Sequence, residues 1–285
     1  MKKVTCMLIA LCFGTLLHGQ NLPKTILWKV TKPESNNVSY LFGTFHEVNP
    51  SFFDLLTNVV AKLKQSDVLF VEQRFSVPNK PTSKKQSSWS TIKWNKILTA
   101  DQKKIFAEFV SKAEDTSYYN LPPLHLSHAT FRLYSTGFCQ SDNPTSKLMD
   151  PHIEKIAEKE RKQIYSLDLN QGTIMDNEAE KFSSSQDSLY ASYSTRYMEN
   201  MLTTNLSDCE LLNTYKKFDL NYEFDTDLSK NPASFLLLDR NTKWIKILQQ
   251  PLSKSNCFIA VGFRHLFYKQ GLIEQLRNLG YTVTP

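Results

Sequence analysis

The sequence predicts an α/β fold with a central mixed sheet, which is built from both chain ends, and an inserted helical cap region. Two observations lead to this fold class. Short apolar runs typical of strands lie within residues 26–72 and again within 258–283, while apolar residues between them recur mainly at helical spacing. Strand, helix and strand alternate at each end, which is typical of layered α/β domains.

The N-terminal elements are a predicted hairpin, a helix and a third strand. Residues 26–30 and 39–42 have strand character and are separated by a polar stretch rich in turn residues. Apolar residues then recur at helical spacing over 53–63, and 67–72 form a compact apolar run with β-branched residues. The polar segment 77–90 follows, and we expect it to be an exposed loop.

The middle of the chain is predicted to be mostly helical. Thr99 and Gln102 are spaced as a capping box that opens one helix, and Pro122-Pro123 precedes another. Asp150 begins a third helix, residues 164–167 form a strand, and the segment 172–249 is almost entirely helical. A long helix over 232–249 ends this region.

The C-terminal end returns to strand, helix and strand. Residues 258–261 are an apolar strand, and a helix over 272–279 ends at Gly280, which is a favourable helix stop. Residues 281–283 form the last strand. We therefore expect one sheet that combines strands from both termini.

The first 20 residues have the layout of a secretory signal peptide: a basic start, an apolar run over 4–17 and a small, polar end. The run is shorter than the roughly 20 residues that span a bilayer, so a retained transmembrane anchor is the weaker alternative. We expect an exported protein, periplasmic or extracellular, without a stable membrane anchor. Its domain would cover residues 21–285, with the helical insertion at about 90–250.

Charge argues against a nucleic-acid partner. The chain has 34 basic and 28 acidic side chains and a formal net charge of +6. Removal of residues 1–20 leaves 32 basic and 28 acidic groups, a charge of +4. The two signs are interspersed along the chain, so no basic stripe for nucleic acid is predicted.

Three cysteines remain after the predicted cleavage. An oxidising compartment would allow a disulfide between Cys139 and Cys209, and Cys257, inside an apolar run, would then be a buried free thiol. The sequence leaves the pairing open. Its cysteine spacing does not match a zinc-binding pattern.

Two Gly-x-x-His motifs carry the candidate chemistry. Gly43 to His46 and Gly262 to His265 each follow a predicted strand, and Glu72 ends a third. Open α/β sheets hold their sites at the carboxyl ends of such strands. Imidazole binds zinc, manganese, cobalt or iron, and a carboxylate often completes the ligand set. A histidine after a strand is also common as a hydrogen-bonded structural residue, so the motifs alone leave both interpretations open.

Residues 40–46, 67–72 and 260–266 resemble the corresponding motifs of the TraB/GumN family, which includes the Tiki proteases. Further similarity covers Ser166-Leu167-Asp168 with Gln171, residues 212–219, and Arg240-Asn241, so that the resemblance extends over about 25–284. It implies a fold related to erythromycin esterase and ChaN-like haem-binding proteins. For some members it also implies peptidase activity that depends on a divalent metal ion.

The resemblance assigns roles to particular residues. His46, Glu72 and His265 match the functional residues of the family, while Arg240 and Asn241 match polar residues that would face the same cleft. Asp168 is a departure, because the family more often has Glu there, and its shorter side chain puts a role for this position in doubt.

From this we expect a metal-dependent hydrolase that cleaves a peptide or protein substrate. His46 and His265 would hold Mn, Co or Zn, with Glu72 as third ligand or general base. Arg240 or Arg264 would stabilise the oxyanion, although Arg264 is equally explained as a surface charge. The alternatives are a protein of the same fold that binds metal or haem without turnover, and a helical interaction module whose site has decayed.

Two neighbouring features are set aside. His125 and His128 lie one helical turn apart, and a polar face on an apolar helix explains them. Glu47 does not belong to a His-Glu-x-x-His motif, because Pro50 would disrupt the required helix, so we expect it to face solvent.

Overall fold

The computed structural model describes residues 23–75, 89–140, 147–230 and 234–285. The predicted signal peptide and most of the predicted loop at 77–90 lie outside these ranges. Within the described ranges the strands are β1 (Leu27–Thr31), β2 (Val38–Thr44), β3 (Val68–Val71), β4 (Gln163–Ser166), β5 (Cys257–Gly262) and β6 (Thr282–Thr284).

The helices of the described residues are distributed between these strands. They are α1 (Pro50–Leu55), α2 (Thr57–Gln65), α3 (Thr91–Ile97), α4 (Ala100–Ala113), α5 (Pro123–Leu133), α6 (Met149–Lys159), α7 (Gln171–Ala179), α8 (Ser184–Thr203), α9 (Glu210–Lys216), α10 (Phe235–Lys254) and α11 (Leu272–Asn278).

The strands form one mixed sheet in the order β4-β3-β5-β2-β1-β6. Neighbours from β4 to β2 are parallel, whereas β1 is antiparallel to both β2 and β6. The first and last parts of the chain thus supply five strands, and β4 comes from the middle. The predicted fold class, a mixed sheet built from both chain ends with a helical region between them, is confirmed.

The parallel register brings four strand ends to one edge of the sheet. Thr44 lies opposite Gly262, and Val71 lies opposite both Ala260 and Ser166. Side chains that directly follow β2, β3, β4 and β5 therefore emerge close together, in the position where open α/β sheets hold their sites.

Helices cover the sheet, and β5, buried along its whole length, is the centre of the core. A second hydrophobic cluster joins helices of the cap and includes Trp94, Phe106, Leu126 and Met198. The 20-residue helix α8 contributes Ala191 and Met198 to this cluster and lies in the segment predicted to be almost entirely helical. The cap has apolar packing of its own, in addition to its contacts with the sheet.

Three local details differ from the sequence prediction. The single helix expected over 53–63 is two helices, because the backbone leaves the helical region at Leu56 (φ −81°, ψ 64°). Helix α10 begins at Phe235 and continues to Lys254, with Pro251 inside its last turn. Residues 217–227, which follow α9, are irregular where helix was expected, and the backbone of Tyr222 accepts a hydrogen bond from the backbone of Tyr268 at 2.8 Å.

Cys139 and Cys209 form a disulfide, and Cys257 is free and buried. The disulfide joins the turn after α5 to the turn before α9, 70 residues further along the chain. Among the described helices, none has the length and apolar character needed to cross a bilayer.

Candidate functional site

The structure brings His46, Glu72 and His265 together at the carboxyl edge of the sheet. The Nε2 atom of His46 is 3.8 Å from Oε1 of Glu72, and the Nε2 atom of His265 is 3.6 Å from the same oxygen. The two imidazoles thus approach one carboxylate oxygen from two different strands. They lie within the roughly 8 Å separation beyond which two histidines could not share an ion.

Glu72 is buried, and every part of its carboxylate is held. Oε1 accepts from the backbone N–H of Gly262 at 2.5 Å, and Oε2 accepts from Arg240 at 2.5 Å and from Gln171 at 2.7 Å. Burial alone would raise its pKa, but Arg240, the protonated form of His46 and the Gly262 N–H together lower the pKa of Glu72 well below its usual range. Oε1, with one such bond, keeps a lone pair towards the histidines.

His265 is held as a neutral imidazole of one tautomer. Its Nε2 lies 3.2 Å from Nη1 of Arg240, and because a guanidinium only donates, this nitrogen is the acceptor. Nδ1 then donates to Oδ1 of Asn241 at 2.6 Å. Burial, aided by the positive charge of Arg240 and opposed by Glu72, lowers the pKa of His265 to about 3.

His46 occupies a different environment, with 38 % of its side chain exposed. Its Nδ1 lies 2.7 Å from Oδ2 of Asp150, whose other oxygen accepts from the Thr44 hydroxyl at 3.0 Å. Burial lowers the pKa of His46, but the carboxylates of Asp150 and Glu72 outweigh it and raise the pKa to about 10. Solvent contact screens part of this effect.

Gly262 allows the cluster to close around the strand end. A Cβ on this residue would lie 2.9 Å from Oε1 of Glu72 and 3.1 Å from Nε2 of His46. The glycine of the second motif is therefore required by close approach of the site to the backbone.

Arg240 and Asp168 extend the cluster. Asp168 accepts from Nε of Arg240 at 2.8 Å and from the Trp244 indole N–H at 2.8 Å. The guanidinium also lies 4.5 Å from the Trp244 ring centre. Despite its shorter side chain, Asp168 therefore belongs to the charged cluster, because its strand β4 lies beside β3 and places it next to Glu72.

Asn241 and Arg264 lie in very different places. Asn241 is buried, and its Nδ2 donates to the backbone carbonyls of His265 at 3.2 Å and Gln270 at 3.1 Å, which fixes its oxygen towards His265. Arg264 packs against aromatic rings and donates to the Tyr268 hydroxyl at 3.2 Å. The structure thus brings five of the six predicted site residues together and places Arg264 beside them, in an aromatic setting.

Sequence reasoning missed several members of the cluster. The sequence predicts Asp150 only as the start of a helix and Gln171 only through the family resemblance, and it indicates no site role for Trp244. Local sequence carries no signal for Asp150, since its partner His46 lies 104 positions away. The expectation that Glu47 faces solvent is wrong: it is buried, 4.0 Å from Arg132, because the loop after β2 turns inwards beneath α5.

The donor set fits a divalent metal ion in its chemistry. Within the described ranges, no three His, Cys, Asp or Glu side chains already stand at the distances of a finished metal site. Ligand bonds of about 2.1 Å place neighbouring donors roughly 3.4–3.6 Å apart, close to the spacing between each Nε2 and Oε1 of Glu72. Each Nδ1 is also bound to an oxygen, as is usual for histidines that bind metal through Nε2.

These features define a mixed α/β protein with a His, His and Glu cluster at the carboxyl edge of its sheet. A model of the TraB/PrgY/gumN family matches residues 26–285, nearly the whole chain. The chain therefore belongs to this family, and the resemblance found in the sequence is confirmed. No curated protein and no solved structure matches it.

Proposed function

We propose that this protein is an exported, metal-dependent hydrolase that cleaves peptide bonds. The proposal rests on one observation: the imidazoles of His46 and His265 converge on the same carboxylate oxygen of Glu72. His265 presents an Nε2 lone pair and Glu72 a carboxylate oxygen, while His46 favours its protonated form beside them, so the cluster attracts positive charge. Such a cluster is therefore suited to holding a cation at the edge of the sheet.

His46 and His265 would hold the ion through Nε2, with Glu72 as third ligand through Oε1. The chemistry that a divalent ion would supply there is polarisation of a substrate carbonyl and a more acidic bound water. The pKa of Glu72 is held low by Arg240 and the Gly262 N–H, which favours a ligand over a general base. The hydrogen bonds at Oε2 keep this carboxylate fixed.

The charge balance of the cluster supports a bound cation. Glu72, Asp150 and Asp168 are all buried, and Arg240 supplies one permanent positive charge, which pairs with Glu72 and Asp168. His46 supplies a second only while it is protonated. Buried carboxylates that lack compensating charge are unfavourable, so a divalent ion would complete the balance.

Other residues of the cluster would orient the two histidines and stabilise the developing oxyanion. Asn241 keeps Nε2 of His265 directed at the site, and Asp150 does the same for His46. Arg240 would supply the donor for a developing oxyanion, since it is the positive group that contacts both His265 and Glu72. Arg264, which lies beside the cluster, would be a second donor for the oxyanion.

Two further observations favour an exported protein that binds a simple metal ion instead of haem. The Cys139–Cys209 disulfide is typical of an oxidising compartment and supports export. Nε2 of His265 lies 3.2 Å from Arg240 and 3.6 Å from Glu72, so a porphyrin on this nitrogen would require a larger rearrangement than a single ion. The geometry therefore favours a simple ion over haem.

The test is cleavage of a peptide library by the purified mature protein with chelator or with added Mn²⁺, Co²⁺ or Zn²⁺. We expect metal-dependent turnover that is lost in the His46→Ala, His265→Ala double variant. His152→Ala is the matched control, because His152 pairs with Asp54 on the surface. Metal binding without cleavage would leave the non-catalytic alternative, and unchanged turnover in the double variant would refute the proposal.

A further inference from the structure

Arg240 contacts side chains that a bound cation would also contact. Its side chain is largely buried, and its Nη2 lies 2.5 Å from Oε2 of Glu72 and 2.7 Å from Oδ2 of Asp168. Its Nη1 lies 3.2 Å from Nε2 of His265. The guanidinium thus contacts two of the three proposed ligands.

The contact with His265 is the important one. A neutral imidazole has a single lone pair on Nε2, and this pair either accepts a hydrogen bond or binds a metal. While Arg240 donates to Nε2, His265 is not available as a ligand. The contact with Glu72 uses Oε2, whereas Oε1 accepts from the Gly262 N–H and keeps a lone pair towards the site, so this contact does not compete directly.

We propose that Arg240 is an internal counter-cation, which holds the metal-free site together and must release His265 before a metal ion binds. This inference rests on the proposed function, because it concerns the same ligands. It assigns Arg240 a positioning role in the metal-free protein, which is distinct from its proposed role towards the substrate.

The surroundings of Arg240 allow a partial release. Asp168 accepts from Nε and lies 2.7 Å from Nη2, and Asp168 is itself held by the Trp244 indole N–H. The guanidinium also packs on the Trp244 ring. These contacts anchor the arginine independently of His265. Loss of the single bond from Nη1 to His265 would free Nη1 at the edge of the site while the rest of the side chain stays in place.

Two consequences follow for the metal-free and metal-bound states. In the metal-free protein Arg240 neutralises part of the charge of Glu72 and Asp168, so its removal leaves buried charges that an ion can compensate. Metal affinity is reduced by the need to break the contact with His265. A hydrogen bond to a charged donor corresponds to about a tenfold or larger factor in affinity.

The experiment compares the wild-type protein with Arg240→Gln, Arg240→Lys and Arg277→Gln. Zn²⁺ affinity is measured by calorimetry on chelator-treated protein, and the melting temperature is measured with chelator and with saturating Zn²⁺. Arg240→Lys keeps the charge but lacks the forked geometry that reaches His265. Arg277, which pairs with Glu274 on α11, is the matched control.

We expect both Arg240 variants to bind Zn²⁺ about tenfold tighter than the wild type, Gln more strongly than Lys. Arg240→Gln should melt at a lower temperature in chelator and recover most of the loss with Zn²⁺, whereas Arg277→Gln should bind as the wild type does. Binding by the variants alone would support the inference most directly, since the arginine would then block the wild-type site.

If both Arg240 variants bind Zn²⁺ no more tightly than the wild type, the inference is overturned. If the wild type still binds Zn²⁺ in that case, the proposed function stands. Absence of binding by all four proteins would overturn both. If Arg240→Gln does not fold in chelator, recovery of folding with Zn²⁺ supports the inference, and failure to recover leaves the decision to the affinity of Arg240→Lys.

Discussion

The two Gly-x-x-His motifs are alike in sequence and unlike in environment. His265 is 4 % exposed, is oriented by the neutral amide of Asn241 and contacts a guanidinium. His46 is 38 % exposed and is oriented by the carboxylate of Asp150. The same motif therefore holds one histidine neutral and favours the protonated form of the other, because the charge of the Nδ1 partner and the depth of burial differ.

The largest expected difference between the two histidines is in the free energy of unfolding that is lost when each is replaced by alanine. His265→Ala should lower the free energy of unfolding by about 3–4 kcal/mol, because it leaves a cavity and unpaired groups on Asn241 and Arg240. His46→Ala should cost about 1 kcal/mol, since water can replace the half-exposed ring. Urea unfolding of the chelator-treated proteins measures both. Equal losses would show that the two environments are energetically alike.

The pH dependence of the metal-free protein should separate the histidines next. The pKa of His265 is lowered to about 3 from its usual 6.5, so its contribution is complete above pH 6.5 and is lost as the pH falls towards 3. The pKa of His46 is raised to about 10, so its contribution is complete below pH 6.5 and is lost as the pH rises through 10.

Unfolding free energies measured from pH 4 to 9 in chelator test these opposite slopes. His265→Gln should reduce the loss of stability on acidification, by on the order of 2–3 kcal/mol. His46→Gln should reduce the loss at alkaline pH, by a smaller amount because the ring is partly solvated. Slopes of the same sign for the two variants would contradict the assignment.

The glycines of the motifs provide a third comparison. A Cβ on Gly43 would lie 3.0 Å from side-chain atoms of Phe263 and Leu266, so Gly43→Ala should cost about 2 kcal/mol through overpacking. A Cβ on Gly262 would instead press on Glu72 and His46. Gly262→Ala should therefore weaken metal binding more than tenfold with a smaller change in melting temperature. Thermal melts and calorimetry distinguish the two, and an unaffected Gly262→Ala site would contradict the geometry.

The smallest expected effect comes from making the two settings alike. Asp150→Asn gives His46 an amide partner like that of His265, and it should change stability by about 1 kcal/mol while weakening metal affinity roughly tenfold. Asp54→Asn, next to the surface residue His152, is the matched control. Calorimetry with Zn²⁺ measures the difference, and equal affinities for both variants would argue against a positioning role for Asp150.

Much of the fold was accessible from sequence because its signals are local. The capping box of Thr99 and Gln102 forms as predicted, and Gly280 takes the positive φ of 81° expected after a helix. The hairpin of β1 and β2 and both Gly-x-x-His strand ends are also as expected. The break at Leu56 was missed because it depends on how the helix ends pack, and the apolar spacing continues through it.

The sequence by itself determined that two glycine–histidine motifs and a glutamate follow strands, since strand character and turn residues are properties of neighbouring positions. Only the tertiary structure decided their chemical states. The Nδ1 partner of His265 lies 24 positions away and that of His46 lies 104 positions away, and Arg240 reaches Glu72 across 168 positions. Burial and charge at the site arise from these distant pairings, and no local pattern encodes them.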